Sequence, residues 1–278
     1  MFKELIPNLT QTLRQADWTR EMYEELIIGW FRQGMKPEGK LYYDDFIAKI
    51  QRGEKISLPD YNNMFLGFDQ NSGIKGLENL KGLEDKPILA LLNHTNNNGP
   101  LGGGWKIVTL SYHVYKTAGN KIRPMHGYDP TACHDLFRER LHKSVNSILI
   151  RDPVSSRSGS SSLIQALKNR DSMCLYPEGG FGPRDSNLRK GMSNAGKLIR
   201  MCLARDYSLV TVSFRFKNDT FFATFDRIEH EEIPKLERTD KNKIDQDVVD
   251  CAMARIARHL PPDHQGYYKH SLTGSCIL

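Results

Sequence analysis

The sequence predicts an α/β fold: a central, mostly mixed β-sheet flanked by helices, with a helical region at its N-terminus. Three observations predict it. From residue 87 onward, short apolar runs of strand length alternate with segments of helical period. Residues 1–58 instead carry apolar side chains at helical spacing. Several polar motifs also fall just past predicted strands, at the edge where open α/β sheets bind ligands. The expected division is 1–58, a helical region packed on the core, and 59–278, the α/β domain.

Trp18, Met22, Leu26, Ile27, Trp30 and Phe31 recur at helical spacing, and Tyr42–Ile50 reads as a second helix. This aromatic face either packs on the core or touches lipid or an acyl chain, since Trp and Phe on a basic helix are typical of interfacial anchors. Residues 59–86 read as loop, punctuated by Pro59, Gly67, Gly73, Gly76 and Gly82. Pro87–Leu92 is a buried strand, apolar on both faces, which stops at Asn93-His94. The polar, Gly-rich TNNNGPLGGG follows, then a helix from Trp105 to about Tyr115. Ile122–Met125 is a weak strand, Ala132–His142 a helix, and Ser147–Ile150 a strand ending at Arg151. SSRSGSSS at 155–162 is a loop or a helix start, because Leu163–Lys168 resumes the helical period. Ser172–Tyr176 is a strand ending at Pro177-Glu178-Gly179. Leu188–Arg205 reads as a helix, Ser208–Phe216 and Thr220–Asp226 as strands, and Ile244–Leu260 as a late helix stopped by Pro261-Pro262.

Composition narrows the function classes. The chain has 278 residues, 39 Lys plus Arg against 33 Asp plus Glu, and a formal net charge of +6. That modest excess suits an anionic substrate or a membrane surface, and suits solubility equally. No apolar run approaches the ~18–20 residues of a membrane span, and MFKELIPNLTQ lacks the apolar core of a signal peptide. The cysteines (133, 174, 202, 251, 276) are odd in number and form no CxxC pair, so a reducing compartment fits better than a disulfide framework. Cys276 is third from the end, which fails the prenylation pattern. A cytoplasmic location is expected, with peripheral membrane contact left open. Basic residues are interspersed with acids, which argues against a nucleic-acid partner.

Several motifs fail on inspection. GMSNAGKL at 191–198 matches G-x-x-x-x-G-K, but Leu198 stands where a hydroxyl would hold magnesium, and the segment lies in a predicted helix. No GxGxxG, GxSxG or HExxH occurs. His259, His264 and His270 lack cysteine or carboxylate partners at ligand spacing and read as solvated tail histidines, so no metal is expected. Cys174, in a predicted buried strand, reads as a core thiol rather than a nucleophile.

Three segments carry chemistry. ALLNHTNNNGP puts His94 at the mouth of a strand among small and polar residues, a good setting for a general base. SILIRDP offers Arg151, either as a bidentate anion clamp or as a surface partner of Asp152. MCLYPEGG sets the Glu178 carboxylate and compact backbone N–H donors at a strand end.

In this order the three segments resemble the glycerolipid and lysophospholipid acyltransferase (PlsC-like) superfamily. Its motifs NHxxxxD, GxxFIxR, FPEGTRS and a VPVxI-like strand are matched by NHTNNNG (93–99), VNSILIR (145–151), YPEGGFG (176–182) and VTVSF (210–214). LRKGMSNAGKLIRMCLARD resembles the family helix between the last two motifs, and GLENLKGLEDKPILALLNH the approach to the first. The resemblance spans about residues 74–225.

The resemblance implies acyl transfer from acyl-CoA or acyl carrier protein to an acceptor hydroxyl or amine, with no other cofactor. His94 is then the general base, and the acceptor attacks the thioester without an acyl-enzyme. Glu178 is the second catalytic residue. Arg151 matches the arginine that holds the acceptor phosphate. Asn93, Asn97, Asn98, Tyr176, Pro177, Gly179, Gly180 and Arg184 complete the expected substrate-binding set, and backbone N–H groups near 179–180 or 96–99 are candidate oxyanion donors. The departures are specific. Gly99 replaces the family Asp that orients the histidine, so His94 is expected to lean on Asn97, Asn98, Asp129 or Asp135. Gly180-Phe181-Gly182 replace Thr-Arg-Ser, with Arg184 near enough to substitute. Val145, Leu149 and Thr211 also depart from the pattern, which points to an altered acceptor pocket. A catalytically weakened acyl-binding relative and a thioester hydrolase are the alternatives.

Overall fold

A computed structural model describes residues 20–94, 104–127, 136–150, 159–179, 187–233 and 240–270. Its centre is a seven-stranded mixed sheet. The strands are β1 (Ile74–Lys75), β2 (Ile88–Leu92), β3 (Arg123–Gly127), β4 (Ile148–Ile150), β5 (Met173–Leu175), β6 (Ser208–Lys217) and β7 (Thr220–Ile228). They lie in the order β1-β7-β6-β2-β5-β3-β4. Strands β6, β2, β5, β3 and β4 run parallel, and β7 is antiparallel to β6. The β6–β7 turn needs only Asn218 and Asp219, both at positive φ (50° and 56°), the signature of a tight primed turn matching strand twist.

The helices are α1 (Arg20–Gly34), α2 (Pro37–Gln51), α3 (Gly104–Ala118), α4 (Leu136–Ser144), α5 (Gly159–Asn169), α6 (Ser193–Leu203) and α7 (Lys241–Arg258). Capping explains several boundaries. Gly119 takes a left-handed φ of 68° and donates its N–H to the Tyr115 carbonyl, closing α3. Asp240 accepts the N–H groups of Asn242 and Lys243, opening α7.

Successive strand side chains point to opposite faces, and the core divides accordingly. Ile88, Ala90 and Leu92 of β2 join Phe214, Phe221 and Phe225 in a cluster that also takes in α2 and α3. Leu89 and Leu91 face the other way, onto α6 and α7. The buried Tyr43, Phe46, Ile47 and Ile50 of α2 belong to the first cluster. Of the aromatic N-terminal positions, Trp30 is exposed while Phe31 packs against that cluster. Trp18 and the side chains of Met22, Leu26 and Ile27 lie outside the described residues.

Two sequence readings are corrected. Residues 59–86 are more ordered than a loop. They form 3-10 turns at Leu58–Phe65 and Leu77–Leu80, and β1 pairs parallel with β7. A Cβ on Gly73 would lie 2.0 Å from the Phe221 carbonyl oxygen, so this glycine allows backbone to reach β7. The helix expected from Leu188 begins at Ser193, because residues 188–191 spend their backbone groups on tertiary partners. The N–H of Leu188 donates to the His264 carbonyl, that of Arg189 to Glu178, and that of Gly191 to the Tyr268 hydroxyl.

Candidate functional site

Adjacent parallel strands β2 and β5 pair Leu91 with Leu175. Counting equally past each strand sets His94 level with Glu178 at the C-terminal edge of the sheet. Asn93 is fully buried where β2 leaves the sheet. Its side-chain amide donates to the Phe214 carbonyl at 2.8 Å and accepts the Phe214 N–H at 2.6 Å. The side chain thus replaces the backbone pairing that β2 gives up, and the departing chain is fixed against β6.

Glu178 is 4% exposed. Its carboxylate accepts the backbone N–H of His94 at 2.6 Å and of Arg189 at 2.9 Å. Burial still holds its pKa above the usual carboxylate value, against the pull of those two donors. Lys106, 2% exposed on α3, donates to the Asn93 carbonyl oxygen at 3.4 Å. Burial pushes the Lys106 pKa down to about 7, opposed in part by the charge of Glu178.

The imidazole of His94 meets the Tyr176 ring edge-on, centroids 4.5 Å apart. Burial, then the Lys106 charge, then Arg189 lower its pKa to about 4. The ring is therefore neutral at pH 7, with a lone pair to accept a proton. Burial also keeps the Tyr176 phenol protonated.

The turn after β5 is locked from the far side of the sheet. Gly179 has φ +80°, and a Cβ there would meet the Met192 sulfur at 2.3 Å. The Met192 N–H donates to the Pro177 carbonyl at 2.9 Å. Gly191 is held through its N–H by the Tyr268 hydroxyl (2.8 Å) and through its carbonyl by Gln246 (3.0 Å). The Tyr268 hydroxyl in turn donates to Asp250 at 2.6 Å. The N–H of Gly179 donates to the Tyr176 carbonyl at 3.0 Å, so it is already engaged and is not an oxyanion donor in this arrangement.

A cavity of about 190 Å³ is walled largely by apolar side chains including Phe31, Phe46, Phe65, Trp105 and Val108. Trp105 stacks on Phe221 inside the core and immediately precedes Lys106, so α3 serves both the cavity and the polar cluster. The remaining rim includes His142, whose ring stacks face to face on His126.

Asn93, His94, Tyr176, Pro177, Glu178 and Gly179 thus come together. Asn97, Asn98, Gly99, Asp129, Asp135, Arg151, Gly180 and Arg184 lie outside the described residues. The sequence reading missed Lys106, the Arg189 amide and Tyr268. Lys106 was legible as a cation within the apolar run of α3, between Trp105 and Ile107-Val108. Cys174 is buried in β5 and burial pushes its thiol up to about 12, which suits a core residue. The GMSNAGKL segment packs against α7, since a Cβ on Gly196 would lie 1.7 Å from the Asp245 carbonyl oxygen. His259 is exposed, as expected of a solvated histidine, and its ring nitrogen also lies 3.1 Å from an Asp226 carboxylate oxygen. Among the described residues, no group of three His, Cys, Asp or Glu is placed to hold a metal ion.

No protein-family model matches the chain. The search of curated proteins found no match. Among solved structures, the chain is similar to the 1-acyl-sn-glycerophosphate (LPA) acyltransferase PlsC of Thermotoga maritima. The two share 13% of residues over 87% of this chain and 100% of that one, with a TM-score of 0.48. At that level the likeness says nothing about substrates or residue roles.

Proposed function

We propose that this chain transfers an acyl group from a thioester, acyl-CoA or acyl carrier protein, to an acceptor hydroxyl, with His94 as general base. The observation that carries the reading is a neutral, backbone-anchored histidine at the ligand-binding sheet edge, on the same helix-and-strand framework that walls an apolar cavity. The ordered motifs of the sequence support it.

The acyl chain occupies the cavity and its carbonyl lies near His94. The imidazole takes the acceptor proton as the hydroxyl oxygen bonds to the thioester carbon. The tetrahedral adduct collapses, the C–S bond breaks, and His94 returns the proton to the leaving thiolate. Glu178 serves by fixing the His94 backbone. On the motif resemblance, Arg151, Arg184, Asn97, Asn98 and Gly180 are assigned to acceptor binding, and amines are included as acceptors. Among the described residues no helix is long and apolar enough to cross a membrane. Peripheral contact through the exposed Trp30, Leu41 and Tyr42 belongs to the same proposal.

A second reading is a relative that binds acyl groups without turnover. The cation Lys106 beside His94 favours it, because a positive neighbour opposes imidazolium formation. Thiol release from acyl-CoAs of several lengths separates the readings, measured with and without lysophosphatidate or glycerol 3-phosphate. Acceptor-dependent release, lost in His94→Ala, is expected. Release without acceptor identifies a hydrolase. Tight acyl-CoA binding with no release to hydroxyl or amine acceptors, from either donor type, sinks the transferase reading.

A further inference from the structure

The peptide group that joins Asn93 to His94 is held at both ends by buried ionisable side chains. Its carbonyl oxygen receives the Lys106 ammonium at 3.4 Å, and its N–H points to the Glu178 carboxylate at 2.6 Å. Lys106 comes from α3 and Glu178 from the turn after β5, so two elements distant in sequence grip one peptide plane. The polarity matches: the cation meets the negative end of the peptide dipole, and the anion the positive end.

We propose that Lys106 is a positioning residue that clamps the Asn93–His94 peptide together with Glu178. This rests on the reading of His94 as the base. One physical demand explains a lysine here. A carboxylate as buried as Glu178 requires nearby positive charge, and Arg189 supplies it together with Lys106, the latter across a single peptide. A cation close to the imidazole also disfavours its protonation, so the His94 titration reports whether Lys106 is in place. The family aspartate would favour the imidazolium; the chain carries Gly99 there and a lysine behind the histidine instead. Among the described residues, the titratable and charged groups facing the cluster include Glu178 from the β5 turn, His94 from the end of β2, and Arg189 from the 187–192 segment.

The test uses the full chain with isotopically labelled histidine, His94→Ala serving to assign the His94 resonances. Wild type, Lys106→Arg, Lys106→Met and the charge-free pair Lys106→Met/Glu178→Gln are titrated by NMR and assayed for thiol release. The wild-type His94 ring is expected to titrate near pH 4. In Lys106→Met and in the paired variant its midpoint moves upward by a unit or so, toward the ordinary ~6.5. Lys106→Arg stays within a few tenths of wild type. Should Lys106→Met fail to fold, the paired variant carries the measurement, since it leaves no buried charge unpaired. Turnover in Lys106→Met is expected to drop tenfold or more with KM within twofold, and Lys106→Arg to recover part of it. An unmoved His94 midpoint in both lysine-to-methionine variants overturns the proposal. The titration needs no turnover, so a shifted midpoint in a chain without thiol release would sink the transferase reading alone.

Discussion

Asn93 does with one side chain what a further residue of β2 would do with its backbone. Removing it in Asn93→Ala would leave the buried N–H and carbonyl of Phe214 without these partners. Each such loss costs about 1–3 kcal/mol. The neighbouring histidine shows how poorly a sequence reports electrostatics. His94 was readable as a candidate base from its place after a strand, but its protonation is set by burial and by a lysine twelve positions on. A charged residue is ordinarily assigned to the surface, and nothing local marks Lys106 as an exception except its apolar neighbours. The consequence for stability has a definite sign. His94 and His113 both have pKa values lowered by burial to about 4, against 6.5 for the ordinary group. Between those values the unfolded chain binds more protons, so stability is retained above pH 6.5 and falls as pH drops toward 4. Each group contributes at most about 1.4 kcal/mol per pH unit in that window. Melting temperatures at pH 7 and 5 should show the loss, and His113→Gln should show less of it. Equal losses in the two proteins would refute the assignment for His113.

At the scale of elements, legibility followed self-sufficiency. Strands β2, β6 and β7 and helices α3 and α7 were readable because each carries its own apolar run, helical period or stop signal. Strand β1 was not, since two residues hold their form only by pairing with β7. The start of α6 was missed for the same reason: residues 187–192 look helical locally, and their tertiary partners decide otherwise. Gly196 in α6 illustrates the point as a measurable claim. Alanine is normally the better helix former. Here its methyl would strike the Asp245 backbone, so Gly196→Ala is expected to destabilise by about 1–3 kcal/mol in chemical denaturation. A gain in stability would mean that α6 and α7 are not in such close approach.

For the whole molecule, the two faces of one sheet divide the labour. One face, with α6 and α7, supports the turn that carries Glu178. The other, with α2 and α3, encloses the cavity. An apolar cavity of about 150 Å³ holds a benzene-sized guest, so about 190 Å³ suits a short or medium chain. Val108 lines it, and Val108→Phe should raise KM for longer acyl-CoAs severalfold while leaving the shortest donor little changed. A uniform effect across chain lengths would place the acyl group elsewhere.

The path from Glu178 through Arg189 and Gly191 to Tyr268 also sets an order of events during synthesis. A nascent chain that has emerged through Ile228 possesses every strand of the sheet, yet the tyrosine that steadies the Glu178 cradle is still inside the ribosome. The sheet can assemble as it is made, whereas the site waits for the segment beyond α7. A ribosome stalled between those points would hold a chain with its strands in hand and the segment behind the Glu178 turn not yet braced by Tyr268.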